Sequence, residues 1–159
     1  RRQRQMCIRD RNNSLLITGE VDRVTSYERG VAGQEVFNEG SWYPDPLTLD
    51  DQALIAKIRG KGLIIMTGCG HSGIVNICNY AKKLTAEDKI HAIIGGFHLP
   101  DGLDTATIQN TISDLKSLDP DWLVPAHCTG QKAILSLVKE LPNSIIQNSV
   151  GSQYVFSSS

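Results

Sequence analysis

The sequence has no apolar run long enough to span a membrane, and neither sign of charge is in excess. Its net charge is −1 over 159 residues, which is not the basic footprint typical of nucleic-acid-binding proteins. No apolar segment follows the basic N-terminus, so no secretory signal pattern is present. Internal repeats and low-complexity tracts are also absent. We therefore expect a cytoplasmic globular protein with neither nucleic acid nor membrane as a partner.

Cysteine is scarce, with four residues in the chain. Without an export signal, a disulfide framework is not expected. Cys69 and Cys128 each lie within two residues of a histidine, which favours metal or thiol chemistry over cross-linking. Cys78 falls on the apolar side of a predicted helix, where a small core residue is expected.

Residues 1–11 lack both methionine at the start and any helical or strand period. The string resembles a translated sequencing-library adapter, and we predict that residues 1–11 are such an artefact. A basic disordered arm that binds an acidic partner is the alternative. The artefact interpretation implies that the genuine domain spans 12–159 and that its upstream part is missing.

The remaining chain centres on an apolar strand predicted at 63–66. A glycine-rich turn follows it, and then a helix predicted at 73–84. Cys69 and His71 lie in this turn, at the edge where open α/β sheets usually bind ligands. Gly70 between them lets both side chains approach one site. The turn reads Thr67-Gly68-Cys69-Gly70-His71-Ser72-Gly73.

Two later loops repeat this arrangement. His98 follows Gly95-Gly96 and a strand predicted at 89–94, and His127 follows a strand predicted at 121–124. Imidazole and thiolate ligands suit Zn²⁺, Fe and related ions. We therefore predict that three loops converge on one metal-dependent site. A hydrogen-bonded turn residue is the favoured interpretation of any one histidine taken alone, but three of the four histidines lie at equivalent strand ends, and this favours a shared site. His91 lies inside a strand and is predicted to be a surface or edge residue.

The other elements complete an alternating strand and helix order that favours the α/β class. Asp104 is predicted to cap one helix and Thr129 another, with Val138 facing inward in the second. Asp51 is interpreted as a polar turn residue, with contact to a metal or to a ligand histidine as the alternative. Further predicted segments are strands at 14–18, 52–58, 144–147 and 153–156, helices at 104–118 and 131–141, and a long surface loop at 21–40 that continues through Pro44 and Pro46.

Taken together, these motifs resemble the metallo-β-lactamase-fold hydrolases. The likeness is greatest to the branch of dihydropterin ribofuranosyl-aminobenzene 5′-phosphate synthase and extends over residues 14–156. It implies the C-terminal portion of an αββα sandwich with a metal site at the sheet edge. The segments that carry it are Asp51-Gln52-Ala53-Leu54, the turn from Thr67 continued to Asn76, Gly95-Gly96-Phe97-His98-Leu99 and Pro125-Ala126-His127-Cys128-Thr129-Gly130.

The resemblance also implies roles for individual residues. His71 and His127 would bind metal, and Cys69 competes as a further ligand. His98 would face the substrate or the metal, and we predict it to be the catalytic residue. The expected cofactor is a divalent metal, Zn²⁺ first and Fe or Mn as alternatives, with two ions in the full-length protein. The expected substrate is an anionic small molecule, phosphorylated or pterin-like.

The sequence departs from this family in one respect. The motif His-x-His-x-Asp-His is absent and would belong upstream of Asn12. We therefore expect this chain alone to bind metal weakly and to be inactive, because the missing ligands cannot be replaced locally. The alternative is a non-catalytic module that binds an anionic metabolite through its glycine turns, at the helix start near Ser72 and Gly73. A thiol nucleophile formed by Cys128 and His127 is a third hypothesis.

Overall fold

In the described part of the chain, one mixed β-sheet and three helices form the main body, and a small hairpin forms a separate two-stranded sheet. The computed structural model describes residues 8–9 and 15–158. The elements in chain order are β1 (Ile8–Arg9), β2 (Leu15–Ile17), β3 (Glu35–Asn38), β4 (Ser41–Pro44), β5 (Ala53–Ile58), β6 (Gly62–Thr67), α1 (Ile74–Thr85), β7 (Ile90–Gly96), α2 (Thr105–Leu118), β8 (Trp122–Ala126) and α3 (Gln131–Glu140).

The large sheet has the strand order β1-β2-β5-β6-β7-β8. Strands β1, β2, β5 and β6 pair antiparallel, whereas β6, β7 and β8 run parallel. Helices α1 and α2 connect the parallel strands. Because such connections are right-handed in nearly all proteins, both helices are expected on the same face of the sheet. The C-terminal ends of β6, β7 and β8 therefore meet at one edge. This edge carries the loops that begin after Thr67, Gly96 and Ala126.

The hydrophobic core lies between this sheet and the helices. Leu63 and Ile65 of β6 are fully buried, and they belong to one cluster with residues of all three helices. The burial of each such side chain contributes about 1.5–3 kcal/mol. The inward face predicted for α1 is confirmed, including Cys78, which is 0% exposed. Burial raises the pKa of Cys78 far above its ordinary value, so this thiol stays protonated in the core.

Of the two N-cap predictions, the one for α2 is confirmed and the one for α3 is wrong. Asp104 caps α2 as predicted, since its side chain accepts a hydrogen bond from the Thr107 amide at 2.8 Å. The prediction for Thr129 is wrong, because Gly130 is the N-cap of α3. The Thr129 hydroxyl instead donates to the Ala126 carbonyl and accepts from the Phe97 amide. Val138 was expected to face inward but is 44% exposed.

The long loop predicted at 21–40 contains a hairpin that sequence patterning did not reveal. Strands β3 and β4 pair antiparallel around Glu39 and Gly40. Both turn residues have positive φ, 47° and 83°, as a type I′ hairpin turn requires. The predicted loop continues through Pro44, yet Pro44 ends β4 opposite Glu35, a position where a missing amide donor is tolerated.

The strands predicted near the C-terminus are not formed. Ile145 makes a single parallel bridge with Leu123, and residues 153–156 have no strand structure. Phe156 nevertheless packs its ring against Trp122 and His91, with centroids 5.3 and 5.6 Å away. The tail therefore contributes side-chain packing without backbone pairing.

His91 is neither at the surface nor at a sheet edge, contrary to prediction. It lies in β7, between β6 and β8, and is 8% exposed. Its Nδ1 atom is 2.6 Å from a carboxylate oxygen of Asp121. The buried imidazole is satisfied by this partner, which the sequence places 30 residues away.

The segment predicted to be an adapter artefact lies mostly outside the described residues. Its described part, β1, pairs with β2 through Ile8 and Ile17. This pairing does not bear on the origin of the segment, which stays a prediction. In the described part of the chain, no helix combines the length and hydrophobicity needed to cross a bilayer.

Candidate metal centre

The loops after β6, β7 and β8 are tied to one another by short hydrogen bonds. The Thr67 hydroxyl donates to the Gly96 carbonyl at 2.8 Å, and the Gly96 amide donates to the Gly68 carbonyl at 2.9 Å. The Phe97 amide donates to Thr129 at 3.1 Å. These bonds hold the histidine-bearing segments of the three loops close together.

This approach depends on a glycine at position 96. A Cβ atom there would lie 2.5 Å from the Gly68 carbonyl oxygen, 2.8 Å from the Cys128 sulfur and 2.9 Å from Cα of Cys69. Each separation is below van der Waals contact, and two of the three atoms belong to backbone. Only a residue without a side chain lets these loops come this close.

Cys69, His127 and Cys128 form the tightest cluster of metal-binding side chains among the described residues. The Nε2 atom of His127 lies 3.1 Å from the Cys69 sulfur. The Cys128 thiol donates to the Cys69 carbonyl at 3.1 Å. The donor atoms of all three side chains lie within 4.8 Å of one another.

His71 and His98 form a second pair at the same edge. Their rings meet edge to face, with centroids 4.5 Å apart. The Nδ1 atom of His98 is buried and has no hydrogen-bond partner within the described ranges. His98 and His127 both have positive φ, 44° and 50°, a strained conformation for residues with side chains and one that is concentrated at functional sites.

Burial is the main reason why the pKa of His98 lies below its ordinary value. The nearby charges of His71 and His127 lower this pKa further, whereas Asp51 opposes them. A lowered pKa means that the neutral ring is favoured near pH 7. A neutral ring with a buried, unpartnered nitrogen can bind a cation or accept a proton.

The sequence-predicted site residues therefore fall into two adjoining groups. Cys69 and His127 lie in the thiol-containing cluster, and His71 lies against His98 instead of in that cluster. Two sulfurs and an imidazole suit a borderline or soft cation such as Zn²⁺. The donor set fits the expected metal, with Cys128 as an additional donor that is not among the ligands implied by the resemblance.

The start of α1 is not an open anion site, contrary to the alternative derived from the glycine turns. The Glu28 carboxylate accepts hydrogen bonds from the Val75 and Asn76 amides, both at 2.9 Å. Asp51 accepts another from the Ser72 amide at 2.9 Å. The chain's own carboxylates occupy the donors that a phosphate would need.

Glu28 and Arg23 come from the long loop, and sequence reasoning missed both. Arg23 donates to the carbonyls of His71 and Ser72 at 3.3 and 3.1 Å. Burial raises the pKa of Glu28, while the Val75 and Asn76 amides oppose that rise. The one local signal was Gly73 at the helix start, which has no side chain with which to cap α1.

A cavity of about 240 Å³ opens beside the histidine pair. His71 and His98 form one wall, and residues 27–32 of the long loop cover it. Its remaining lining is largely apolar and includes Phe97, Leu99 and Leu103. The cavity therefore combines an apolar body with a polar end at the imidazoles, as small-molecule sites commonly do.

Comparison with known proteins gives two sequence relatives, both from Methanocaldococcus jannaschii. An uncharacterized protein is 36% identical over 126 residues, which cover 79% of this chain and 44% of the relative. A 7,8-dihydropterin-6-methyl-4-(beta-D-ribofuranosyl)-aminobenzene-5′-phosphate synthase is 42% identical over 85 residues, which cover 54% of this chain and 29% of the relative. No family model matches the sequence.

Among solved structures, a metal-dependent hydrolase of the beta-lactamase superfamily is similar, with a TM-score of 0.82 and 24% identity. The superposition covers 96% of this chain and 57% of that protein. These matches confirm the predicted resemblance, and the chain has the metallo-β-lactamase fold. It spans less than half the length of the two relatives from Methanocaldococcus jannaschii.

Proposed function

We propose that this chain is the C-terminal portion of a metal-dependent hydrolase or transferase of the metallo-β-lactamase superfamily. Its substrate would be a phosphorylated or pterin-like small molecule. The observation that carries the proposal is the meeting of His71, His98, Cys69 and His127 at one sheet edge, beside a cavity. The names of the similar proteins, a metal-dependent hydrolase and a pterin-related synthase, support the same class.

His127 and Cys69 would hold the divalent metal together. His71, which lies against His98 outside that cluster, would add a ligand from the adjoining pair, and further ligands would come from the part of the relatives that this chain does not match. A bound divalent cation supplies Lewis-acid polarisation of a phosphate or ester oxygen. His98 would act as the catalytic residue. Since its pKa is lowered mainly by burial, the neutral ring is available at pH 7 to accept a proton from an attacking hydroxyl or water.

The cavity would receive the organic part of the substrate. Phe97, Leu99 and Leu103 offer apolar surface for a flat ring, while His71 and His98 face the end where the reacting group would lie. The backbone amides at the start of α1 are not available to a phosphate group, because Glu28 and Asp51 already accept their hydrogen bonds. Any anionic group would therefore be bound at the histidine end of the cavity.

Thiol chemistry is a second candidate, because His127 contacts Cys69 at 3.1 Å. A histidine at this distance can accept the thiol proton and activate the sulfur as a nucleophile. The pairing differs from the Cys128–His127 nucleophile considered from the sequence, in which neighbouring side chains would have to face each other. Iodoacetamide inactivation with His127-dependent kinetics would favour this candidate.

The test uses the longest protein that contains this chain, freed of metal by a chelator and then resupplied with Zn²⁺ or Mn²⁺. The probes are p-nitrophenyl phosphate and bis(p-nitrophenyl) phosphate. We expect hydrolysis to require the added metal. His98→Gln should lower kcat by roughly 10²–10⁴-fold, as expected for loss of a proton-transfer group. His91→Gln is the matched control, since His91 lies within β7 and its imidazole pairs with Asp121.

Hydrolysis that survives complete metal removal would contradict the proposal. Full activity in His71→Gln and His127→Gln would do the same. Equal losses in the His98 and His91 variants, with unfolding at the same urea concentration, would exclude a catalytic role for His98.

A further inference from the structure

We propose that Cys128 joins Cys69 and His127 as a direct metal ligand, so that this chain by itself forms a thiolate-rich site for Zn²⁺ or another borderline cation. The inference rests on the proposed function, because it concerns the same edge of the sheet. It goes further by changing the ligand set and the expected affinity. Sequence reasoning expected weak binding from a chain that lacks its upstream motif.

The separations between the donor atoms carry the proposal. In a tetrahedral zinc site with ordinary Zn–S and Zn–N bonds, neighbouring donors lie about 3.5–3.8 Å apart. His127 and Cys69 are 3.1 Å apart, and all three donors lie within 4.8 Å. Adjustments of about an ångström or less, within the reach of side-chain rotations, would bring the three donors onto one cation.

The neighbouring backbone accommodates the Cys128 sulfur next to Cys69. Gly96 leaves room for the Cys128 sulfur, which would lie 2.8 Å from a Cβ atom at that position. The Cys128 thiol donates a hydrogen bond to the Cys69 carbonyl. This bond is lost when Cys128 is deprotonated and its thiolate binds a cation. The hydrogen bond is thus exchanged for a stronger metal–sulfur bond, with release of the proton to solvent.

The chemistry of the donors specifies the class of cation. Two thiolates and one imidazole suit Zn²⁺ and Co²⁺, whereas Mg²⁺ and Ca²⁺ prefer oxygen ligands. Catalytic zinc sites with two cysteines and one histidine keep a fourth position for water or substrate.

The test is titration of the purified 159-residue chain with Co²⁺, read as sulfur-to-cobalt charge-transfer absorption in the near ultraviolet. All proteins carry Cys7→Ser, so that this cysteine adds no thiolate. We expect one Co²⁺ per chain, displaced by Zn²⁺ and not by Mg²⁺. Cys128→Ser should lose a substantial part of the band, because one of two thiolate ligands is removed, and Cys69→Ser should lose a comparable part. Cys78→Ala, which removes a fully buried core thiol, should leave the band unchanged.

An unchanged band in Cys128→Ser would overturn the proposal, as would a parent chain that binds Co²⁺ without any thiolate band. Circular dichroism at each endpoint shows that the variants are folded. The result is separable from the proposed function, because it is read without substrate. If hydrolysis requires metal but the cobalt spectrum is unchanged in Cys128→Ser, the proposed function stands and the role of Cys128 as a ligand is excluded.

Discussion

The carboxylate of Glu28 accepts a hydrogen bond from the Asn76 amide at 2.9 Å and thereby caps α1, which begins 46 residues further along the chain. Its other oxygen accepts the Val75 amide at the same distance. The covering loop and the first turn of α1 are therefore one hydrogen-bonded unit. This unit forms one side of the cavity next to His71.

Replacing Glu28 by alanine should destabilise the protein by about 1–2 kcal/mol, as for loss of a helix N-cap. Glu28→Gln should lose less, because one amide oxygen remains as an acceptor. Urea unfolding monitored by circular dichroism measures both. Glu39→Gln, a charge-matched change in the exposed hairpin turn, should leave the midpoint unchanged. Equal midpoints for Glu28→Ala and the parent would contradict the capping role.

Gly96→Ala should separate the loops that carry the metal site. The added methyl group meets the Gly68 carbonyl and the Cys128 sulfur below contact distance, so that about 1–3 kcal/mol of stability should be lost. Binding of Co²⁺ should weaken in the same variant, as measured by competition with a chromophoric chelator. Gly102→Ala is the control, because nothing lies within 4 Å of a Cβ atom at that position. If both variants behave alike, close approach at Gly96 is not what organises the site.

Asn76→Ala should be more damaging than most helix substitutions to alanine. The Asn76 side chain is fully buried, accepts the Val24 and Thr25 amides at 2.8 and 2.9 Å and donates to the Ser72 carbonyl at 2.9 Å. Leaving these groups without partners should cost about 2–4 kcal/mol. Thermal unfolding measures the loss.

Asn110→Ala supplies the reference for that experiment, since Asn110 is exposed on α2. It should be neutral or slightly stabilising, because alanine has the higher helix propensity. A loss of similar size in both variants would assign the effect of Asn76→Ala to the helix and not to the loop contacts.

Asp121 should make stability fall in acid. Burial raises the pKa of Asp121, but the hydrogen bond with His91 and the charge of Lys89 together lower it more. The pKa of Asp121 in the folded protein is therefore below its ordinary value of 3.8. A carboxyl group whose pKa is lower in the folded than in the unfolded state stabilises the fold at every pH above its unfolded-state pKa. That contribution disappears as the pH falls from about 4 through the folded value.

The measurement is urea unfolding of Asp121→Asn and the parent between about pH 7 and pH 3. The variant should be less stable at pH 7 and should show a flatter acid decline. Asp119→Asn is the matched control, two residues away and exposed at the end of α2. Parallel pH curves for the parent and Asp121→Asn would refute the role of the His91–Asp121 pair.

Sequence periodicity predicted the central elements because each of them buries one face. Strand β6 and helix α1 have the apolar patterns that a sheet and a helix packed together require, and both are found within two residues of their predicted bounds. Hairpin β3–β4 was missed because its side chains are mostly exposed and therefore show no burial pattern. The available sequence signal was Gly40, because glycine readily takes the positive φ that this hairpin turn requires.

The predicted C-terminal strands failed for the opposite reason. Residues around Ile145 and Phe156 have apolar side chains that pack, and the pattern was taken as evidence of backbone pairing. Ile145 makes one bridge and Phe156 packs on Trp122. Apolar alternation reports burial, and burial does not require a ladder of hydrogen bonds.

The sequence by itself determined that His71, His98 and His127 follow strands, since strand ends can be identified from local pattern and parallel strands share an edge. Tertiary structure alone decided which side chains touch: His71 pairs with His98, and His127 pairs with Cys69. It also decided that Glu28 and Asp51 fill the helix start that had looked open to an anion. The physical reason is the sequence separation of the contacts. Periodicity shows which face of its own helix or strand a residue lies on, whereas these contacts join segments that are tens of residues apart.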